Sequence, residues 1–189
     1  MSDARRAPAR ERTFTALYDA VYPDLLRFVQ RRTHPDLADD VVADAFLVVW
    51  RRLDELPRDP GDARAWTFGI TRNLLLNTQR GEHRRRALGV RLADEPVVVA
   101  ATTAETDGVV SAVDVGRAWR HLSETHQEAL AIAAFDELSA PQAAAVLGIS
   151  PVAFRLRLSR ARRALRLHLD HLPQQTAVPA RIAEGLTAP

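Results

Sequence analysis

Arg155, Arg157, Arg160, Arg162, Arg163 and Arg166 fall within a single short stretch that carries only one acid between residues 151 and 172. The chain contains no lysine, so every cationic side chain above neutral pH is a planar fork able to grip a phosphate or a guanine edge with two parallel hydrogen bonds. Stepped at about 100° per residue, the stretch sorts into faces. Phe154, Leu158, Ala161 and Leu165 gather on one side as a core stripe, and Val152, Leu156, Ser159, Arg160 and Arg163 gather opposite, where a DNA-reading helix meets base edges. Arg155, Arg162 and Arg166 lie on one flank and Arg157 on the other, placed for phosphates. A second basic block, residues 63–93, holds 7 arginines against 1 acid. It combines Arg64, Thr71, Asn77, Thr78, Arg80 and the run Arg84-Arg85-Arg86 with Trp66, a mixture of π-face, amide, hydroxyl and cation that suits unstacked bases. Read structurally, the same block is a core helix ending in a solvated charge run.

Each basic block follows an acidic one. Residues 36–62 carry 8 acids against 3 arginines, and residues 94–150 carry 9 against 2, although the net charge of the chain is only +2. Alternation of this kind is the footprint of two separate nucleic-acid contacts, the acidic blocks being solvated faces or docking surfaces for a basic partner. Catalysis has no framework here. The chain has no cysteine, no glycine-rich phosphate loop and no nucleophile framed by a base. Its six histidines are scattered; His168 and His171 share a helical spacing but lack a carboxylate on that face, so no metal site and no cofactor is expected. No apolar run is long enough to span a bilayer and the N-terminus lacks a signal-peptide stretch, which makes a cytoplasmic location the default.

The elements that must position the arginines are all helical. A short helix from Ala140 to Leu147, a Gly-Ile-Ser turn and a longer helix from Pro151 form a helix-turn-helix, with Gly148 suited to a left-handed C-terminal residue and Ser150-Pro151 to a cap and first turn. Upstream, Arg12–Arg32 keeps helical apolar spacing, interrupted or kinked at Pro23, with residues 1–11 frayed and Tyr18 and Tyr22 in the core. A helix over Asp36–Leu53 has two apolar stripes where a surface helix needs one, which points to deep burial or to a face kept for a partner. Asp62 is read as the cap of a third helix whose buried line is Trp66, Ile70 and Leu74. Residues 89–108 lose all helical period and read as a linker, the isolated Val97-Val98-Val99 being too little for a strand; helices resume over Val109–Leu122 and Glu124–Phe135, the latter capped by Ser123. The expected architecture is all-α, with small helical domains at 12–88 and 109–172 and a weakly ordered tail at 173–189.

Three stretches, in this order, resemble an RNA polymerase sigma factor of the sigma-70 family, extracytoplasmic-function (ECF) group. LYDAVYPDLLRFVQRR with LADDVVADAFLVVWRRL resembles the first half of region 2; ARAWTFGITRNLLLNTQR resembles its promoter-melting half, of pattern A-W-L-F-x-I-A-R-N; and LSAPQAAAVLGISPVAFRLRLSRARRAL resembles region 4. The resemblance implies a promoter-specificity subunit. Asp39, Asp40, Asp44, Val48 and Arg51 would dock on the β′ clamp helices of core RNA polymerase, with region 4 on the β flap. Trp66, Arg72, Asn73, Asn77, Arg80 and Arg84 would lie in or support the −10 site, and Val152, Arg155, Leu156, Ser159, Arg160, Arg162 and Arg163 would read the −35 element. It also implies an anti-sigma factor as partner, and melting driven by binding, not hydrolysis.

The chain departs from the family pattern at several points. Ala43-Asp44-Ala45 stands for Gln-Glu-Thr, Asn77 for a common Asp, and Leu122-Ser123 for Leu-Pro. In the recognition helix the usual Gly-Thr-Val-Lys-Ser-Arg-Leu reads Val152-Ala153-Phe154-Arg155-Leu156-Arg157-Leu158, which removes two hydroxyls and leaves Leu156 able to meet a thymine methyl. An atypical −35 preference follows. Two other readings compete: a stand-alone helix-turn-helix regulator, which leaves the region around Trp66 unexplained, and a degenerate sigma factor acting only through protein contacts.

Overall fold

The computed structural model describes residues 3–87 and 112–171, and all regular structure among them is helical. In chain order the α-helices are α1 (Asp3–Gln30), α2 (Pro35–Arg51), α3 (Pro60–Ala87), α4 (Ala112–Arg120), α5 (Glu124–Phe135), α6 (Ala140–Leu147) and α7 (Pro151–Asp170), with one 3₁₀ turn at Leu53–Glu55. The expected linker at 89–108, with its Val97–Val99 run, and the expected tail at 173–189 lie outside the described residues. No helix among the described residues is long and apolar enough to cross a membrane.

Helix α1 starts nine residues before Arg12, where fraying was expected, and passes through both Pro8 and Pro23. Pro23 is exposed, as is Asp19, whose carbonyl loses the helical bond that proline cannot donate, so water can replace it. The early turns are tied down by Arg10, which donates to the Asp54 carboxylate (2.6 Å) and the Trp50 carbonyl (3.0 Å) and lies over the Trp50 ring. Tyr18 and Tyr22 stack at 5.0 Å between centroids beside Phe46, at the edge of the core and not inside it.

The two apolar stripes of α2 are largely consumed by burial, with Leu37 staying exposed and Val48 half-buried. Val41, Val42, Ala45, Phe46, Val49 and Leu53 are all buried, because α1 and α3 cover this helix from two sides. The second stripe is therefore not a partner face. Apolar groups left in solvent on α2 are Leu37, Leu47 and Trp50.

Asp59, not Asp62, caps α3: its carboxylate accepts from the Asp62 amide at 3.0 Å, with Pro60 in the first turn. The buried line also shifts. Trp66 and Leu74 are only half-buried, whereas Phe68, Thr67 and Thr71 are fully enclosed. Each threonine hydroxyl donates to the carbonyl four residues back, Thr67 to Ala63 and Thr71 to Thr67, both at 2.9 Å, which satisfies these groups inside the core. Thr71 is thus unavailable to bases.

The main core does not stop at α3. Phe28 and Phe68, in edge contact at 4.9 Å, belong to the same buried cluster as Ala143, Ala144, Val146 and Leu147 of α6 and Phe154 of α7. Helix α6 lies on α3 at Gly69, where an added Cβ would stand 3.8 Å from the Val146 backbone. A smaller cluster, Leu122, Leu130 and Ala161, joins α4, α5 and α7.

Candidate nucleic-acid interface

The helix-turn-helix forms as its residues require. Gly148 ends α6 in the left-handed conformation (φ 66°), which costs glycine little and other residues about 1 kcal/mol or more. Its amide donates back to the Ala145 carbonyl at 3.2 Å. The Ser150 hydroxyl accepts from the Ala153 amide at 3.1 Å, and Pro151 occupies the first turn of α7. At the other end of the unit, the Gln142 side chain accepts from the Ser139 amide at 3.0 Å, fixing the entry into α6. Ser123 holds the cap position of α5 as expected, but its hydroxyl makes no capping bond; the Gln127 amide instead satisfies the carbonyls of Trp119 and Leu122 that end α4.

With both ends set, the faces of α7 separate cleanly. Phe154 and Ala161 are buried and Leu158 and Leu165 partly so. Val152, Arg155, Leu156, Ser159, Arg160, Arg162 and Arg163 are all exposed, and none of these arginines pairs with a carboxylate of the described residues. Val152 is 66% and Leu156 50% exposed, so an apolar strip one turn long sits between cationic flanks.

Helix α3 presents a different surface. Asn73, Asn77 and Arg80 are exposed along one side. Arg84 lies in the last turn of the helix, and its side chain is outside the described residues. Trp66 is packed against the core with the Arg52 guanidinium 5.5 Å from its ring centre. Arg72 does not join the exposed row: two of its three guanidinium nitrogens donate to Glu128 of α5, Nε to Oε1 at 2.6 Å and Nη2 to Oε2 at 3.0 Å. Arg64, expected to offer a cation to bases, donates instead to Asp24 (2.8 and 3.1 Å) and to the Asp136 carbonyl (2.8 Å).

Asp136 is the one acid buried among the described residues. Its carboxylate receives Arg31, in a short ion pair, and Arg32 at 3.0 Å, both from the turn that follows α1. Burial lowers the pKa of Arg32 despite the opposing pull of Asp136. The sequence marks 94–150 as acidic but does not single out Glu128 and Asp136, and Arg31-Arg32 reads only as the polar end of a helix. Their pairing depends on which helices meet.

On α2, the residues expected to dock on polymerase are exposed at Asp39, Asp40, Asp44 and Arg51 and half-buried at Val48. Leu47 shares that outward side at 53% exposure and was not singled out from sequence, although its spacing of three from Asp44 and four from Arg51 places it there.

Comparison with known proteins gives one answer from three directions. Family descriptions match as Sigma-70 region 2 over residues 17–86 and Sigma-70, region 4 over residues 113–165. The ECF RNA polymerase sigma factor SigL of Mycobacterium tuberculosis is 29% identical over 167 residues, covering 88% of this chain and 94% of its own. RNA polymerase sigma factor CnrH of Cupriavidus metallidurans is 33% identical over 144 residues, covering 70% and 73%. Among solved structures, sigma factor RpoE in complex with the anti-sigma factor NepR from Bartonella quintana superposes with a TM-score of 0.61 at 25% identity, covering 85% of this chain and 99% of that one. CnrH in complex with the cytosolic domain of CnrY gives 0.59 at 27%, covering 90% and 96%. A stand-alone helix-turn-helix regulator would not match region 2 across α1–α3. The chain belongs to the sigma-70 family of RNA polymerase sigma factors, ECF group, and is a promoter-specificity subunit of RNA polymerase.

Proposed function

We propose a division of labour among three surfaces of this sigma factor. The exposed face of α7 reads the −35 element, with Arg160 and Arg163 on base edges, Arg155 and Arg162 on phosphates, and Val152, Leu156 and Ser159 between them. The outward side of α3, through Asn73, Asn77, Arg80 and Arg84 with Trp66 and Arg72 in support, takes the −10 element, where amides and a cation suit the edges of unpaired bases. The outward side of α2, through Asp39, Asp40, Asp44, Val48 and Arg51, docks on the β′ clamp helices of core polymerase, and the region 4 half meets the β flap. The reading rests above all on α7: a capped helix in a helix-turn-helix, buried on one stripe and lined opposite with unpaired arginines.

The protein works in the cytoplasm and performs no catalysis; strand opening is driven by binding free energy. An anti-sigma factor is its regulatory partner, a reading supported by the similar sigma factor RpoE, which is seen bound to the anti-sigma factor NepR. In vitro transcription with core RNA polymerase and a pooled promoter library tests the whole reading. Emergence of one −35/−10 pair supports it. Binding of core without any promoter firing would instead favour a sigma factor reduced to protein contacts.

A further inference from the structure

One pair of side chains takes no part in the surfaces assigned above. His168, in the last turn of α7, faces His121, in the turn that ends α4, with ring centres 5.4 Å apart and ring planes 31° apart. Sequence spacing places His168 beside His171, but the His171 Nδ1 is turned back to donate to the Leu167 carbonyl of its own helix at 2.6 Å. Both facing imidazoles stand on fixed backbone. His168 continues the stripe of α7 that holds Ala161, Ala164 and Leu165 against Leu122 and Leu130. His121 directly precedes the buried Leu122, and the amides of these two residues donate to the carbonyls of Ala118 (3.2 Å) and Trp119 (3.0 Å). From α5, the Gln127 side chain closes on the Trp119 and Leu122 carbonyls at 2.8 and 3.3 Å. His121 is exposed and His168 half-buried, so an ion can reach the pair from water.

Neutral imidazole is the commonest protein ligand of zinc-like ions. At about 2.0–2.1 Å per Zn–N bond each ring centre stands about 3.2 Å from the ion, and a tetrahedral angle then sets two such centres about 5.2 Å apart. Aromatic packing alone tolerates about 4.5–7 Å; a shared ion needs the narrow band in which the observed 5.4 Å falls. We propose that His121 and His168 bind a divalent transition ion, Zn²⁺ or a neighbour of like ligand preference, which clips the end of α4 to the last turn of α7. No third histidine or carboxylate groups with them among the described residues, so water completes the coordination and the ion exchanges, unlike one in a closed four-ligand site. The clip lies roughly 25 Å along α7 from its first turn. It therefore governs how firmly α7 is carried and not which bases it meets. The inference goes beyond the sigma reading and stands without it, since both ligands belong to the α4–α7 unit.

The test uses the full-length chain, free of any affinity tag and stripped of metal by a chelator. Calorimetric titration with Zn²⁺ is expected to show a saturable site, and Zn²⁺ at ten times its dissociation constant should raise Tm by about 4 °C. Mg²⁺, which takes oxygen ligands, should do neither. His121→Gln and His168→Gln are each expected to weaken Zn²⁺ binding by about tenfold or more, at least the loss that an outer-shell change brings. His171→Gln is expected to leave it unchanged. Cu²⁺, the tightest binder of its series, reports the ligands directly: its electron paramagnetic resonance spectrum should show two coordinated nitrogens in the wild type and one in either variant of the pair. Circular dichroism checks that the variants keep their helices, and the wild-type Cu²⁺ spectrum needs no variant at all. Absence of saturable Zn²⁺ binding overturns the proposal, as does a wild-type spectrum with fewer than two nitrogens. Binding that survives His121→Gln but is lost in His171→Gln assigns the ion to the neighbours on α7 and overturns it likewise. Failure to direct specific transcription, with the titrations as expected, would count against the sigma reading and leave the metal site established.

Discussion

Arg160 and Arg163 on α7 and Arg72 on α3 are the same residue type on the two helices proposed to meet DNA, and the fold treats them differently. The α7 arginines project into solvent with no carboxylate among the described residues to meet them. Arg72 is held by Glu128, and the neighbouring Arg64, Arg31 and Arg32 are bound to Asp24 and Asp136. The difference follows from what each helix lies against. Helix α7 buries one stripe and shows the rest, whereas α3 runs between α2 on one side and α6 on another. A cationic helix needs an uncovered face to act as a ready anion site, and composition alone does not disclose which face is covered. Both basic blocks look alike as sequence, yet Arg64 and Arg72 of the first are paired with groups of the same chain and the exposed arginines of α7 are not.

The strongest way to break the comparison is to remove the anchor common to both sides. Phe154→Ala empties a fully buried site in the core shared by α3, α6 and α7, and should cost about 4 kcal/mol in thermal or urea unfolding. Free α7 arginines would then no longer be presented, and duplex binding should fall with stability. Next in size, Asp136→Ala leaves two largely buried guanidinium groups without a carboxylate and should weaken the contact between the halves by about 3 kcal/mol. Hydrogen exchange should report this as faster exchange in α6. Binding of a −35 duplex through α7 should be unchanged, and a parallel loss there would mean that the two surfaces are not independent.

The remaining predictions sharpen the −35 side. Arg160→Ala should cost about 2 kcal/mol on the selected −35 duplex and relax preference at one base pair. Arg162→Ala, on the flank, should weaken all sequences alike and lower the slope of log K against log salt by about 0.9; titration across salt concentrations separates the two. Smallest is the apolar contact. Replacing thymine by deoxyuridine at the position facing Leu156 deletes one methyl and should cost about 0.8 kcal/mol with wild-type protein and almost nothing with Leu156→Ala. Equal losses in both would place the methyl elsewhere.

Local chemistry was the most legible part of this molecule. The boundaries of α5, α6 and the start of α7 agree with the sequence reading to the residue, because Gly148, Ser150 and Pro151 act within one turn of themselves. The faces of α7 follow from periodicity alone for the same reason. What failed to show was decided by contacts across the chain. The second stripe of α2 looks like spare apolar surface until α1 and α3 are both in place. Thr71 and Arg64 look like nucleic-acid groups until the hydroxyl bonds back to Thr67 and the guanidinium reaches Asp24 and Asp136. Asp59 and Asp62 are equally good caps on paper, and Pro60 selects the first by taking the first-turn position.

Asp136 meets Arg31 across 105 positions of sequence, and that spacing has a consequence in time. During synthesis at about 5–20 residues per second, the carboxylate leaves the ribosome roughly 5–20 s after the arginines it will neutralise. Helices α1, α2 and most of α3 can assemble around Val42, Phe46 and Phe68 before any of the region 4 half exists. Throughout that interval Arg72 has no Glu128 and α3 has no cover. Every newly made copy therefore begins its life with this side of α3 uncovered, and the packing of α6 on α3 is among the last contacts that the chain acquires.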